Sequence, residues 1–180
     1  RPFLEAQYPE IRDILDDVLA IADAHGGLLP DQGDWCFIDW SELPKATALQ
    51  MLYHWALVSA ARLADRMHDV ATSTRCHAVA DTLRDRLADT AFDDDAGLFY
   101  AIPGRPDSGF FRHPNFLAVL AGIAPDDLSA HIADELATRG MPPVGTPYMA
   151  ALECLALHRG GLVPITWIGR RRVRCEAARH

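Results

Sequence analysis

The sequence predicts an all-α fold that forms part of an (α/α)6 toroid, in which an outer ring of helices wraps an inner ring. Apolar residues recur with helical spacing along most of the 180 residues. Helices with one apolar face alternate with helices that are mostly apolar, and long connections alternate with short ones. Six helices are predicted, which is half of what six helical hairpins require.

The first predicted helix spans about residues 9–25, because Pro9 suits a first helical turn and a Gly-Gly pair follows the end. Its apolar residues form one stripe, so one face should stay in water. The second, about 44–68, is apolar on more than one face and should be buried, with His54 as a core residue. The third, about 73–91, again has a single apolar stripe.

The fourth predicted helix, about residues 114–121, is almost entirely apolar after its first turn and should be buried. The fifth starts at Pro125 with two aspartates, whose carboxylates suit the positive end of the helix dipole, and has one apolar face. The sixth, about 147–158, is mostly apolar. Exposed and buried helices therefore alternate three times.

Long connections precede the buried helices, at residues 26–43, 92–113 and 140–146. Short connections lead from buried helices to exposed ones, and short connections make neighbouring helices antiparallel. All three long loops should therefore meet at one end. An α-solenoid also stacks helix pairs, but it usually shows a sequence period, and none is visible here. An open half-toroid would leave its inner-ring surface exposed, which favours a homo-oligomer.

Composition narrows the possible partners. A formal net charge of −8 disfavours nucleic acid and anionic membrane surfaces, which bind clustered Lys and Arg. No apolar run approaches the roughly 20 residues of a membrane span, and no signal peptide is visible, so a cytoplasmic protein is expected. No metal or other cofactor is predicted. The cysteines lack a C-x-x-C pair and are expected to be buried free thiols; they are Cys36, Cys76, Cys154 and Cys175.

Residues 162–180 differ in character from the toroid domain, which is assigned to residues 1–161. They contain five arginines and only one acidic residue. A short basic segment without aromatic interleaving or helical amphipathicity is weak support for a nucleic-acid or membrane contact. We interpret it as a basic C-terminal tail that is non-native or frayed.

The three long loops carry the residues that could bind or transform a substrate. Aromatic rings can stack on the apolar faces of sugar rings, while carboxylates and histidines can bond to sugar hydroxyls. The first loop contains the segment G-D-W-C-F-I-D-W, the second ends in a His-x-Asn segment, and the third leads through M-P-P-V-G-T-P. We therefore predict a carbohydrate site, whose substrate-binding residues are Asp34, Trp35, Asp39, Trp40, His113, Asn115 and Tyr148.

Acid–base cleavage of a glycoside with inversion needs two carboxyl groups about 6.5–9.5 Å apart. Asp34, Asp39 and Glu42 are the candidates, since they are close in sequence. Structural roles are the alternative: Asp39 or Ser41 could cap the second helix, and the tryptophans could close the end of the core. His113 could likewise form a cap or a loop hydrogen bond instead of a substrate contact. The cluster as a whole favours a site.

Several blocks, in order, resemble bacterial α-L-rhamnosidase-like glycoside hydrolases of the six-hairpin toroid class. The blocks span about residues 8–161 and are GDWCFIDW, ALQMLYHWALVSAARLADRM, FDDDAGLFY, HPNFLAVLAGIAPDD and MPPVGTPYMAALECLALHRGG. The resemblance implies an inverting hydrolase that acts on terminal α-L-rhamnosides or related sugars. It also implies substrate contacts at Asp34 and Trp35, which match the family's G-D-W, and at His113 and Asn115, which match its His-x-Asn.

The same resemblance implies where the acid–base pair of such an enzyme lies. The general acid is expected in an acidic, Arg-containing segment before G-D-W, and the general base in a W-E-x-W-like segment after the T-P-Y helix. Neither segment occurs in this sequence. A non-catalytic helical module for sugar binding or scaffolding, lacking the pair, is therefore the alternative function. Another sugar-acting toroid enzyme, such as an epimerase or a lyase, is a third.

Overall fold

A computed structural model describes residues 2–31 and 37–162, and it confirms the all-helical fold class. Within these residues two short strands pair as an antiparallel hairpin, and a 3-10 turn covers Pro106–Ser108. The strands are β1 (Phe92–Asp93) and β2 (Leu98–Phe99). The helices are α1 (Pro2–Ala24), α2 (Ala46–Arg66), α3 (Val70–Ala91), α4 (Arg112–Ala121), α5 (Asp126–Thr138) and α6 (Pro147–Arg159).

Helix α4 is the centre of the core, and all of its residues are buried. It packs against α2 on one side and α6 on the other, while α3 packs on α2, and α5 packs on α4 and α6. This arrangement confirms the predicted alternation of inner and outer helices. Phe116 and Leu117 of α4 are fully buried, as is Leu57 of α2. Burial of such side chains is worth about 1.5–3 kcal/mol each.

Helix α6 is less buried than its apolar composition predicts. Leu155 and Tyr148 are both more than two-fifths exposed, and they lie seven residues apart on one face of the helix. Among the described inner helices, α6 packs only against α4. None of the described helices covers the face that carries Leu155 and Tyr148, which explains why an apolar helix keeps these side chains in water.

Helix α1 begins at Pro2, so the interpretation of Pro9 as a first-turn residue is wrong. A proline inside a helix removes one backbone hydrogen bond and is normally unfavourable. Tertiary contacts hold the helix on both sides of this proline. The Tyr8 hydroxyl donates to Asp69 at 2.9 Å, and Asp16 pairs with Arg75 at 2.6 Å. Both partners belong to α3 or its N-cap, so one contact before Pro9 and one after it link α1 to α3.

Of the described residues predicted to be buried thiols or core histidines, Cys76 and His54 are buried, whereas Cys154 is only half-buried, so the prediction is wrong for Cys154. Cys76 is a fully buried thiol on α3, and Cys36 and Cys175 lie outside the described residues. His54 is 4 % exposed on α2, and burial lowers its pKa. Among the described helices, none has the length and apolarity needed to span a membrane. The basic tail lies outside the described residues, apart from Leu162.

Candidate functional site

The first and third long loops meet the start of α4 at the carboxylate of Asp39. Its Oδ2 accepts hydrogen bonds from the Ser41 hydroxyl at 2.8 Å, from His113 Nε2 at 2.6 Å and from the Gly145 backbone N–H at 2.7 Å. Its Oδ1 accepts from the Trp40 N–H at 2.8 Å. The expectation that the long loops converge at one end is confirmed by these contacts across 74 and 106 residues of sequence.

These donors keep the Asp39 carboxylate ionised. Burial alone would raise its pKa, because the charged form loses water. Hydrogen bonds from Gly145, Thr146 and Ser41, together with the one from His113, outweigh burial and hold the pKa of Asp39 well below its usual value. The side chain is therefore an acceptor at neutral pH and has no proton to give.

The imidazole of His113 is buried beside this carboxylate and is 2 % exposed. Burial lowers the pKa of His113, and the neighbouring Asp39 only partly offsets that effect. An ionised carboxylate can only accept, so Nε2 carries the hydrogen and donates it to Asp39. His113 Nδ1 is then an acceptor that has no partner among the described residues. The ring also contacts Phe116, with 5.5 Å between ring centroids.

Gly145 lets the third loop lie directly on the first. A Cβ placed on it would lie 2.6 Å from the backbone nitrogen of Ser41 and 3.1 Å from the carbonyl carbon of Trp40. Both contacts are with backbone atoms, so a larger residue would push the loops apart. Thr146, the next residue, caps α6, because its hydroxyl accepts from the Met149 N–H.

Three aromatic rings lie beside this contact, and we call Phe37, Trp40 and Tyr148 the aromatic platform. The Phe37 and Trp40 rings meet edge to face with centroids 5.0 Å apart, and Phe37 lies 6.5 Å from Tyr148. The Tyr148 hydroxyl donates to the backbone oxygen of Ile38. Trp40 is 77 % exposed and Tyr148 46 %. The hydrogen bond of Tyr148 thus anchors the platform, while the rings of Trp40 and Tyr148 face solvent.

Comparison with solved structures identifies the fold that carries these loops. A rhamnosidase from Klebsiella oxytoca, solved with rhamnose bound, matches with a TM-score of 0.77 and 24 % identity over 93 % of this chain and 32 % of that one. The GH78 family rhamnosidase of Bacillus sp. GL1 matches with a TM-score of 0.76 and 21 % identity over 96 % of this chain and 19 % of that one. The chain has a rhamnosidase-like fold.

This rhamnosidase-like chain spans less than a third of the length of either structure. Identities below 25 % show a shared fold and leave activity open. No protein-family model matches the chain, and no curated protein matches it either.

Within the rhamnosidase-like fold, the predicted site residues fall into four groups by location. Asp39, Trp40, His113 and Tyr148 lie together at the rim. Asn115 is fully buried nearby. Glu42 is exposed on the first loop, and Asp34 and Trp35 lie outside the described residues. The roles of all seven predicted substrate contacts, and of Glu42, remain predictions.

The amide of Asn115 contacts only backbone groups among its recorded partners. Its Oδ1 accepts from the Phe99 N–H at 2.8 Å, and its Nδ2 donates to the carbonyls of Phe99 at 3.1 Å and Phe111 at 2.8 Å. The side chain therefore joins the second loop to α4. This geometry favours a role in fixing that loop over a role in touching sugar.

The alternative capping roles of Asp39, Ser41 and His113, and core closure by Trp40, are wrong. The alternative of a loop hydrogen bond at His113 is confirmed by its contact with Asp39. Helix α2 begins at Ala46 with Lys45 at its N-cap position, so neither Asp39 nor Ser41 caps it. Trp40 does not close the end of the core, because most of its surface is exposed. For His113 the N-cap position of α4 belongs to Phe111, so it does not cap that helix either.

The sequence did not predict the ion pair that is buried beneath the rim. Arg112 pairs with Glu153 of α6 and also donates to the Leu136 carbonyl of α5 at 2.7 Å. Glu153 is fully buried, and its Oε2 has no partner among the described residues. The sequence signal was a single acidic residue inside the apolar segment A-A-L-E-C-L-A-L. The pair joins three helices of the rhamnosidase-like core.

The described residues offer no metal centre. Across residues 2–31 and 37–162, no group of three or more His, Cys, Asp or Glu side chains could hold a metal ion. The β1–β2 hairpin carries Asp93, Asp94 and Asp95, and we call it the acidic hairpin. It borders an open depression of about 590 Å³, whose lining includes Asp89, Asp93 and Asp95. Asp93 accepts from the Ala96 N–H and from the Tyr100 hydroxyl, so it serves the hairpin itself.

Proposed function

We propose that this chain is part of a glycoside hydrolase domain that binds terminal α-L-rhamnosides or related sugars at the aromatic platform. The observation that carries the proposal is the exposed Trp40 ring, held at the meeting point of the loops. Because Phe37 and Tyr148 lie beside it, Trp40 belongs to an exposed aromatic cluster, and clustered exposed apolar surface marks binding sites whereas a single exposed ring does not. The fold that presents it resembles a rhamnosidase solved with rhamnose bound.

The platform suits one face of a sugar ring. Trp40 and Tyr148 together offer flat apolar surface, and the hydroxyl of Tyr148 is already engaged with the backbone of Ile38. Apolar C–H faces of a pyranose would stack on these rings, while sugar hydroxyls would remain available to polar groups of the same rim. This chemistry accounts for sugar binding without a metal or a cofactor.

Catalysis is a further part of the proposal. The inverting mechanism implied by the resemblance needs one protonated carboxyl group as general acid and one carboxylate as general base. Asp39 is unsuited to the acid role, because it is ionised and its oxygens already accept four recorded hydrogen bonds. Glu42 and Asp34 therefore remain the candidates for the general acid within this chain.

Both carboxylate oxygens of Asp39 accept hydrogen bonds from the protein itself. This observation favours the alternative function, a sugar-binding or scaffold module that lacks the acid–base pair. The two functions share a binding site and differ in turnover. Release of the phenol from an aryl α-L-rhamnoside separates them. The enzyme requires measurable release that Glu42→Gln or Asp34→Asn abolishes, whereas the module requires binding with no release.

Binding is tested by isothermal titration with L-rhamnose. Trp40→Ala should weaken affinity by roughly tenfold, because an aromatic stacking contact is worth about 0.5–1.5 kcal/mol beyond its buried area. Phe3→Ala is the matched control, since Phe3 is also an aromatic residue, is 73 % exposed and lies on α1, away from the rim. Absence of binding by the unaltered chain, or equal losses in both variants, would reject the platform as the sugar site.

A further inference from the structure

We propose that Asp39 is a positioning residue, whose carboxylate locks the first and third loops to α4 so that the aromatic platform keeps its shape for a sugar. This inference rests on the proposed function, and it assigns Asp39 a role other than direct substrate contact. Four hydrogen bonds converge on the carboxylate, from Trp40, Ser41, His113 and Gly145. They come from three separate parts of the chain.

The location of Asp39 leaves little opportunity for direct contact with a ligand. The residue is 5 % exposed, and its Oδ2 already accepts three hydrogen bonds, so little of the carboxylate is accessible to a sugar hydroxyl. Neighbouring residues, by contrast, make up the platform. Trp40 follows Asp39 directly, and Tyr148 follows Gly145 by three residues at the start of α6. The hydroxyl of Tyr148 also donates to Ile38, the residue before Asp39.

The negative charge of Asp39 is needed because the partners on both oxygens are donors. An asparagine side chain at this position would present one oxygen and one NH2 group in place of two acceptors. With its NH2 at the Oδ1 position, the amide would face the Trp40 N–H. With its NH2 at the Oδ2 position, it would face the Gly145 N–H. Either orientation sets two donors against each other, and a buried donor left unpaired destabilises the local structure.

The test compares Asp39→Asn with Asp85→Asn, which removes the same charge from an exposed side chain of α3. Hydrogen–deuterium exchange is followed in peptides covering residues 37–43 and 141–147, and L-rhamnose affinity is measured by titration. In Asp39→Asn both peptides should exchange at least tenfold faster, because local opening exposes their amides, and affinity should fall at least tenfold. Asp85→Asn should change neither.

Ser41→Ala is a milder second variant, and it removes one donor while leaving the carboxylate in place. It should raise exchange in the same two peptides and lower affinity severalfold. If Asp39→Asn fails to fold, Ser41→Ala alone decides: unchanged exchange and unchanged affinity would overturn the inference. A loss of affinity with unchanged exchange in either variant would also overturn it, since that pattern indicates direct contact with the sugar.

The outcomes separate this inference from the proposed function. If the unaltered chain binds no L-rhamnose, the proposed function fails. Faster exchange of both peptides in Asp39→Asn would still establish that Asp39 locks the loops. If the chain binds sugar and Asp39→Asn leaves exchange and affinity unchanged, the proposed function stands and the positioning role is refuted.

Discussion

Removal of one partner from the buried Arg112–Glu153 pair should destabilise the fold more than removal of both. Arg112→Met leaves the fully buried Glu153 carboxylate without its recorded cationic partner. Breaking a buried pair in this way costs about 3–5 kcal/mol, whereas replacing both partners by apolar residues is often neutral or stabilising. In a chain of this size 1 kcal/mol corresponds to about 2–4 °C in Tm. We therefore expect Arg112→Met to lower Tm by about 6–20 °C.

The assay is thermal unfolding followed by circular dichroism at neutral pH, with Arg112→Met, Glu153→Leu and the double variant compared. The double variant should recover most of the Tm lost by Arg112→Met. Asp16→Asn is the control, because the Asp16–Arg75 pair has side chains about half exposed, and exposed pairs contribute little. A double variant that loses as much as the two single variants added together would refute the reasoning, because the two side chains would then act independently.

Three further predictions concern other parts of the chain. Burial lowers the pKa of both His54 and His113, so below about pH 6.5 the unfolded chain binds protons that the folded chain does not. Unfolding free energy, measured with urea, should therefore fall from pH 7 to pH 5 by up to about 1.4 kcal/mol per unit for each histidine, and His54→Leu should flatten the slope. Asn115→Ala should cost about 1–3 kcal/mol in the same assay, because it leaves buried backbone groups unpaired; a loss no larger than that of an exposed residue would contradict this. On α1 the apolar side chains of Ile14 and Ile21 are 58 % and 47 % exposed. If they support a homo-oligomer, Ile14→Asp with Ile21→Asp should reduce the sedimentation-derived mass, and an equal mass for both proteins would exclude that interface.

The sequence predicted the order of inner and outer helices because the apolar pattern of each helix reflects how much of its surface is buried. Helix α4 is apolar after its first turn and is fully buried, whereas α3 has one stripe and keeps one wet face. Loop lengths then predicted that the long loops meet, since antiparallel neighbours leave no other arrangement. These inferences use only local patterns and chain connectivity, which explains their success.

Features that depend on distant partners were missed. Pro9 obeys the local rule for a helix start, and Tyr8 and Asp16 override that rule through contacts with α3 and its N-cap. Asp39 was recognised as unusual, yet its contact with Gly145 joins residues 106 positions apart. Sequence spacing gives no measure of which side-chain atoms meet across such a separation. The Arg112–Glu153 pair was missed for the same reason.

The hydrogen bonds of Asn115 have a consequence for solubility. Phe99 lies on β2, whose other neighbour is β1, so the amide occupies the outward-facing N–H and C=O of that strand. Open strand edges invite pairing with other chains, and proteins protect them by covering or interrupting them. At Phe99 a side chain from a helix takes the place of a third strand, and the bridge between Tyr100 and Phe110 continues the cover along the edge. The acidic hairpin is thereby kept from acting as a template for intermolecular β-pairing.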